Sequence, residues 1–541
     1  MLEKMFHKAL FATALLLAGA AYAQAPDPLA PPPGPRMILT DVMVTNEKGP
    51  VRGLNKNDFS VEDKGKKQTI SSFGITESGK LKIPAAPLPA GIYSNRLNNK
   101  GEIQGTATVL LFDRANSDAG DQAFVRGQIL KVLGALKDTD RLGFYGLGFK
   151  LQMIRDYNED AAPLAKAARA LQQGSTAPAN FTAEEKDVFN GLTEALAPMQ
   201  QLQPQARVNI TYPAFRQVSR HLTGVEGRKN VIWISSDFPL TYGNDQARKK
   251  NDEAEVEAFK NVLLESNIVL FPIDPAGAGG SFNQTAEGAP TANEGSLMKG
   301  SMRNSTNTGS FTATDSSLMG TQTFLNLANA TGGQVYRNVN DISPELKEVL
   351  SAAEYTYTLG FYPDEKTLDS KNHDIKVTVK DTKLKPTYRK QYFAWGPATP
   401  QGQKPGVAIE ELIADNLNAT GIGMMAVANP APDKPGAQVL DVRLTASDVR
   451  FDQTGDKFSP DFDVVIVSDN GKQRGTKTYT PSLTADQMKV ILDGGLNLSE
   501  TLEPGAPGGY FRIVAIDKKT GATGSLTVAY GTAKPGATQA R

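Results

Sequence analysis

The chain has 541 residues, with 58 lysines and arginines balanced by 58 aspartates and glutamates, and it has no cysteine. A chain of this length is too long to fold around a single hydrophobic core, so two or more domains are expected. The balanced charge excludes a global electrostatic attraction to nucleic acid or to an anionic membrane. The absence of cysteine excludes a disulfide framework and a thiol nucleophile.

The amino terminus has the pattern of a cleaved export signal. Two lysines precede an apolar run that ends at Ala20, and small residues stand at Ala21 and Ala23. A membrane anchor is the alternative, but the run is shorter than the roughly 20 residues that span a bilayer. We expect residues 1–23 to be a signal peptide cleaved after Ala23, which would make the protein periplasmic or extracellular, with no membrane span.

A proline-rich linker at 24–36 precedes the first β pattern, at 37–78. This segment alternates apolar and polar residues between turn signals at Gly49, Gly53 and Gly65. It predicts an amino-terminal β module of three or four strands. Such a module would be marginal alone, because so few strands bury little apolar surface.

Residues 105–352 alternate strand and helix patterns, which predicts a mostly parallel, doubly wound sheet covered on both faces. The predicted strands are Thr108–Phe112, Leu142–Leu147, Val231–Ile234, Ile268–Ile273 and Gln334–Tyr336. The predicted helices are Asp121–Lys137, Asp160–Gln172, Ala183–Leu196, Tyr212–Leu222, Asn251–Leu264 and Thr321–Ala330. Residues 276–320, rich in Gly, Ser, Thr and Asn, predict a mobile loop, with a ligand-gripping loop as the alternative.

Two further β regions follow. The first, 353–396, holds three strand patterns that we expect to pair with 37–78, which would make the α/β domain an insertion within one β domain. The second, 405–533, lies beyond a proline-containing linker. Its strand spacing predicts a carboxyl-terminal β-sandwich.

A candidate metal loop lies in TATVLLFDRANSD, at 106–118. The apolar strand ends on Asp113, and Ser117 follows four residues later, with Ala115 between them. Carboxyl ends of parallel strands meet at one edge of a sheet, where further oxygens would come from Ser175 or Thr176 and from Asp237. A small cation such as Mg²⁺ takes about six oxygens and keeps several waters. Taken singly, each of these residues is more typical of a cap or a loop.

Ala115 decides how strong that site can be. An alanine offers no side-chain oxygen, so only water could fill its place. We therefore expect Mg²⁺ or Mn²⁺ binding at Asp113, Ser117, Ser175, Thr176 and Asp237 to be weak or lost.

The sequence offers little for catalysis. Histidine occurs at positions 7, 221 and 373 alone, and there is no G-x-S-x-G elbow, no phosphate-binding loop and no H-E-x-x-H. We assign no catalytic residue and expect a non-enzyme. The minority hypothesis is a hydrolase that uses Asp113 and Asp237 on a metal-bound water.

Several short sequence motifs, taken together, resemble those of one protein family. The D-x-A-x-S loop resembles the D-x-S-x-S metal-ion-dependent adhesion site of von Willebrand factor A domains. An ordered series resembles von Willebrand factor A-related proteins of the acidobacterial type: DFSVED at 58–63, GRKNVIWISS at 227–236, ATGG at 330–333, YTLGFYP at 357–363 and YRKQYF at 388–393. The resemblance implies an exported protein with a von Willebrand factor A (doubly wound, Rossmann-like) domain and flanking β segments.

From these observations we expect a non-catalytic protein of the adhesion type. It would bind a protein partner through a degenerate metal-ion-dependent adhesion site. The alternative is a metal-free structural scaffold of the bacterial envelope that binds through its β modules.

Overall fold

The computed structural model describes residues 37–530, apart from 48, 78–79, 82–87, 90, 97–102, 105, 138–141, 175, 201, 226, 239–245, 276–312, 338, 340, 353–354, 368, 370, 395–408, 469–473 and 504–507. The expected signal peptide and the linker at 24–36 lie outside the described residues. So does most of the loop expected at 276–320.

The amino-terminal region consists of short strands. They are β1 Ile38–Asn46, β2 Gly49–Pro50, β3 Phe59–Asp63, β4 Lys66–Gln68, β5 Ser72–Glu77, β6 Lys80–Leu81, β7 Tyr93–Ser94 and β8 Ile103–Gln104.

Strands and helices then alternate. The strands are β9 Ala107–Asp113, β10 Gly143–Leu147, β11 Leu151–Arg155, β12 Lys229–Ile234, β13 Ile268–Asp274 and β14 Tyr336–Arg337. The helices are α1 Ala119–Gly134, α2 Ala162–Gln172, α3 Ala183–Ala195, α4 Pro204–Leu222, α5 Gln246–Glu265, α6 Ala313–Thr331 and α7 Ser343–Ala352.

The rest of the chain is again mostly β. Four strands come first: β15 Tyr355–Phe361, β16 Lys371–Val379, β17 Lys385–Thr387 and β18 Gln391–Ala394. Then follow α8 Ile409–Ala414, β19 Met424–Pro430, β20 Gln438–Leu444, β21 Phe451–Thr454, β22 Lys457–Pro460, β23 Phe462–Ser468, β24 Arg474–Tyr479, α9 Ala485–Gly494, β25 Leu496–Leu502, β26 Tyr510–Asp517 and β27 Thr523–Ala529.

A six-stranded sheet forms the centre of the α/β domain, in the order β11-β10-β9-β12-β13-β14. All neighbours are parallel except β11, which returns antiparallel to β10. The order reverses direction between β9 and β12, and ligands of doubly wound sheets bind at the carboxyl ends of strands at such a switch point. The predicted α/β class is confirmed.

Both faces of this sheet are covered, as the apolar run of β9 requires: all seven of its residues are buried. Helices α1, α2, α3 and α7 pack on one face, and α4, α5 and α6 pack on the other. Within the described chain, no helix is both long and apolar enough to cross a membrane.

The strands before and after the α/β domain pair with each other. β1 pairs antiparallel with β15 and β3 pairs antiparallel with β16, so that Ile38 faces Phe361 and Phe59 faces Val379. The sheets β17-β1-β15-β5 and β18-β16-β3-β4 enclose a shared core that includes Tyr357. The segments before and after the α/β domain therefore contribute strands to one β core.

The carboxyl-terminal region has two four-stranded antiparallel sheets around one core, β25-β20-β19-β7 and β24-β23-β26-β27. Strand β7 comes from the segment between the first β strands and the α/β domain. There Asn95 donates to the carbonyls of Ala419 and Ile422, both at 2.8 Å. The chain therefore contacts its carboxyl-terminal region before it enters the α/β domain.

Several predicted boundaries were wrong. Helix α4 begins at Pro204 and not at Tyr212, because Pro213 lies inside the helix and not at its start. Helix α6 begins at Ala313, so residues 313–320 are helical and not part of a loop. The edge strand β11 and the helix α7 were not predicted.

Candidate functional site

The loop after β9 begins at Asp113, which is completely buried. Its Oδ2 accepts hydrogen bonds from Trp233 Nε1 at 2.9 Å and from Asn116 Nδ2 at 2.6 Å. Its Oδ1 accepts from the backbone N–H of Asn116 at 3.1 Å. These three donors hold both carboxylate oxygens, so Asp113 is part of the internal hydrogen bonding of its loop.

Burial raises the pKa of Asp113 to about 6, although hydrogen bonds from Asn116 and Trp233 and the charge of Arg207 lower it. A buried carboxylate loses the hydration that favours its charged form. Asp113 therefore takes up a proton at a higher pH than an exposed aspartate does.

Ser117 joins the loop after β9 to the loop after β12. Its Oγ donates to the carbonyl of Asp113 at 2.6 Å and accepts from the backbone N–H of Ser236 at 3.3 Å. The hydroxyl of Ser236 in turn donates to Asp121 at 2.6 Å. The two loops on either side of the switch point are thus hydrogen-bonded to each other.

Asp237 lies in the loop after β12 and contacts a cation from α4. Its Oδ2 accepts from Arg207 Nη1 at 3.2 Å, and its Oδ1 accepts from the backbone N–H of Phe238 at 2.9 Å. Burial raises the pKa of Asp237, while Arg207 lowers it. Because the Arg207 side chain is only 9% exposed, its charge acts at low dielectric.

Helix α4 also contacts the first loop. Thr211 stands one turn after Arg207, on the same face of the helix. Its Oγ1 accepts from Asn116 Nδ2 at 2.7 Å, and the same amide group bonds Asp113. The first two turns of α4 therefore contact both loops of the switch point.

The structure brings together three of the predicted site residues: Asp113, Ser117 and Asp237. Thr176 is exposed in the connection between α2 and α3, and no hydrogen bond in the described chain joins it to Asp113. Ser175 lies outside the described residues. Their assignment as ligands stays a prediction.

Arg207 and Thr211 are not among the site residues predicted from the sequence. Both lie before Tyr212, where α4 was expected to begin. Pro204 could have revealed them, because proline is favoured in the first turn of a helix and stands there in α4.

An exposed aromatic residue lies at the same edge of the sheet. Leu147 ends β10 in register with Asp113, and the next turn carries Phe149, which is 76% exposed. A Cβ added at Gly148 would lie 2.8 Å from Arg114 Nη2, so the guanidinium of Arg114 packs closely under this turn. The candidate site thus has an apolar side chain on a supported turn beside it.

The donor set does not fit a divalent cation. Ala115 is fully buried and offers no side-chain oxygen. The oxygens of Asp113 and Asp237 already accept hydrogen bonds from Trp233, Asn116 and other donors. Within the described chain, no group of three or more His, Cys, Asp or Glu side chains could hold a metal ion.

Comparison with known proteins adds little to this geometry. No protein-family model matches the chain, and no curated protein has a matching sequence. Among solved structures, one described as von Willebrand factor type A from Catenulispora acidiphila is similar, with a TM-score of 0.23 and 8% identity over 87% of this chain and 76% of that chain. The α/β class rests on the sheet of this chain and not on that similarity.

Proposed function

We propose that this protein is an exported, non-catalytic interaction protein of the adhesion type. Its α/β domain, of the von Willebrand factor A kind, would bind a protein partner at the carboxyl edge of the six-stranded sheet. The acidobacterial resemblance, the β-sandwich assignment of 405–533 and the signal peptide belong to the same proposal. The adhesion site would be degenerate, with Mg²⁺ or Mn²⁺ bound weakly or not at all.

One observation carries this proposal: at the switch point between β9 and β12, a hydrogen bond from Ser236 joins the loop of Asp113 and Ser117 to the loop of Asp237. Doubly wound domains bind ligands at that place. The exposed ring of Phe149 lies at the same edge, and large aromatic side chains are common energetic anchors of protein interfaces. Asp113 and Ser117 are buried beneath this edge, and Asp237, which is 26% exposed, is the member of the cluster that a partner could contact.

A metal-free scaffold that binds through the β modules remains the second candidate. Three of the exposed large apolar side chains favour it, because they lie in or directly after the strands β1, β5 and β15: Leu39, Ile75 and Tyr362. Strand β5 is also at the edge of its sheet, where a partner strand could add.

A hydrolase is less favoured, because Asp113 is buried and both of its oxygens already accept hydrogen bonds. Ester or phosphoester turnover by the wild type that Asp237→Asn removes would support it.

Capture experiments separate the two binding candidates. The bait is the mature chain, and the prey is envelope extract of the source bacterium, with and without chelator. We expect Phe149→Ser to reduce capture at least about tenfold, as loss of an interface anchor does, while Ile75→Ser leaves capture unchanged. Val490→Ser is the matched control, because Val490 is 69% exposed on α9, far along the chain.

Loss of capture by Ile75→Ser with full capture by Phe149→Ser would instead support the scaffold. An equal loss of capture by Val490→Ser would show that capture depends on nonspecific binding to exposed apolar side chains. That result would contradict both candidates.

A further inference from the structure

A positively charged side chain of the protein, Arg207, lies at the switch-point carboxylates. Arg207 Nη1 lies 3.2 Å from Asp237 Oδ2. One helical turn later, Thr211 accepts from the amide of Asn116 that also donates to Asp113. Helix α4 therefore holds a guanidinium against one carboxylate and a hydroxyl against the amide that bonds the other.

The oxygens of this cluster are already committed to protein donors. Ser117 Oγ donates to the carbonyl of Asp113 and accepts from the N–H of Ser236. Asp237 Oδ1 accepts from the N–H of Phe238. A cation would have to displace these donors, and Ala115 gives no oxygen in exchange.

The charge balance leads to the same conclusion. Burial disfavours the charged forms of Asp113 and Asp237, and a positive group close by favours them. A divalent cation supplies that charge in the metal-ion-dependent site which the D-x-A-x-S loop resembles. Here a guanidinium that is almost wholly buried lies in contact with Asp237.

We propose that Arg207 is an internal substitute for the metal ion, which makes the switch-point cluster of Asp113, Ser117 and Asp237 independent of divalent cations. The assignment holds whether or not a partner binds, so its failure is distinguishable from failure of partner capture. If the proposed partner exists, its binding at this edge is resistant to chelators.

The test measures the thermal unfolding midpoint of the mature chain in EDTA and in millimolar MnCl₂. Wild type should show the same midpoint in both. Arg207→Ala should unfold roughly 5 °C lower or more in EDTA, as expected when a buried partner is lost. Mn²⁺ should restore at least half of that loss, because a cation can then supply the positive charge that Asp237 has lost.

The matched control lies on the same helix. Arg220 is 11% exposed and pairs with Asp415 at 2.6 Å. Arg220→Ala should also lower the midpoint, but MnCl₂ should not raise it. Arg207→Lys keeps the positive charge and should stay insensitive to Mn²⁺.

Two results would overturn the proposal. One is a wild-type midpoint that Mn²⁺ raises as much as it raises that of Arg207→Ala. The other is an Arg207→Ala protein that responds to Mn²⁺ no more than Arg220→Ala does.

If Arg207→Ala does not fold, the double variant Arg207→Ala/Asp237→Asn decides the question. It removes one uncompensated carboxylate charge and should restore folding. Failure to do so would contradict the proposed charge balance, as would saturable Mn²⁺ binding to wild type in calorimetry.

Discussion

Helix α4 carries a buried arginine near each end, and the two arginines have different surroundings. Near its start, Arg207 donates to Asp237, and its Nε has no hydrogen-bond partner within the described chain. Near its end, Arg220 donates from Nε and Nη2 to Asp415, at 3.0 and 2.6 Å, and from Nη1 to Glu411 at 3.4 Å. Arg207 is therefore partly satisfied, whereas Nε, Nη1 and Nη2 of Arg220 all donate.

The same contrast extends to the neighbouring groups. Beside Arg207, Asn116 Oδ1 is buried without a partner in the described chain. Beyond Arg220, Arg512 donates to the carbonyls of Leu412 and Leu417 and to three polar side chains. Fully satisfied buried networks fix a structure, whereas an unsatisfied buried group calls for an explanation, and a role in binding is one. The comparison indicates that the end of α4 holds the domains together and its start forms the site.

The largest effect on the free energy of unfolding should come from Arg512→Met, which tests the hydrogen-bond network beyond the end of α4. This change leaves several buried acceptors unpaired, each worth about 1–3 kcal/mol. We expect the unfolding free energy to fall by about 5 kcal/mol, measured by urea denaturation. Lys434→Met is the control, because Lys434 and its partner Glu503 are exposed, and it should change nothing measurable. A small loss from Arg512→Met would remove the distinction between the two ends of α4.

A second comparison removes the carboxylate partner at each end. Asp415 is 6% exposed and Asp237 is 26% exposed. Asp415→Ala should destabilise by about 3–5 kcal/mol, because the buried Arg220 loses two close hydrogen bonds and keeps a 3.4 Å contact with the exposed carboxylate of Glu411. Asp237→Ala should lose about 1–2 kcal/mol, because it removes a single 3.2 Å hydrogen bond from a pair whose carboxylate side is open to water. Equal losses in parallel thermal melts would show that the two ion pairs are alike.

Much of the site edge follows from local sequence patterns. Asp113 ends one apolar run, Ser117 follows it four residues later, and Asp237 comes three residues after another such run, so a place at the carboxyl edge was predictable for all three. The α/β class was predictable from the same alternation.

The decisive contacts were not predictable, because they depend on long-range geometry. The pairing of Arg207 with Asp237 requires α4 to begin eight residues before Tyr212. Because proline is disfavoured inside a helix, Pro213 gives no sign in the sequence that the helix begins so early. The bond from Trp233 to Asp113 joins side chains of adjacent strands, which only the register of β9 and β12 reveals.

A smaller expected effect is the pH dependence of stability at His221, near the end of α4. His221 Nδ1 lies 2.8 Å from the carbonyl of Asn418, and Nε2 lies 3.1 Å from Asp156. Burial disfavours the charged ring, but the charge and hydrogen bond of Asp156 and the carbonyl of Asn418 outweigh burial and raise the pKa of His221. A raised histidine pKa stabilises the folded state below the ordinary value of 6.5 and loses that contribution as pH rises through the folded value.

The unfolding midpoint of wild type relative to His221→Gln should therefore be higher at pH 6 than at pH 9. Asp156→Asn removes the charge that raises the pKa of His221, so it should flatten the same dependence. A midpoint difference that grows as pH rises would contradict this sign.

The smallest effect on stability should come from Phe149→Ser, at the edge of the sheet beside the candidate site. Phe149 is 76% exposed, so its ring contributes little to the core, and a surface change of this kind is usually within about 0.5 kcal/mol. The turn itself should persist, because Gly148 and the packing of Arg114 remain. Urea denaturation of wild type and variant checks this directly. A loss above about 2 kcal/mol would mean that Phe149 supports the fold, and reduced partner capture by this variant would then no longer identify a binding surface.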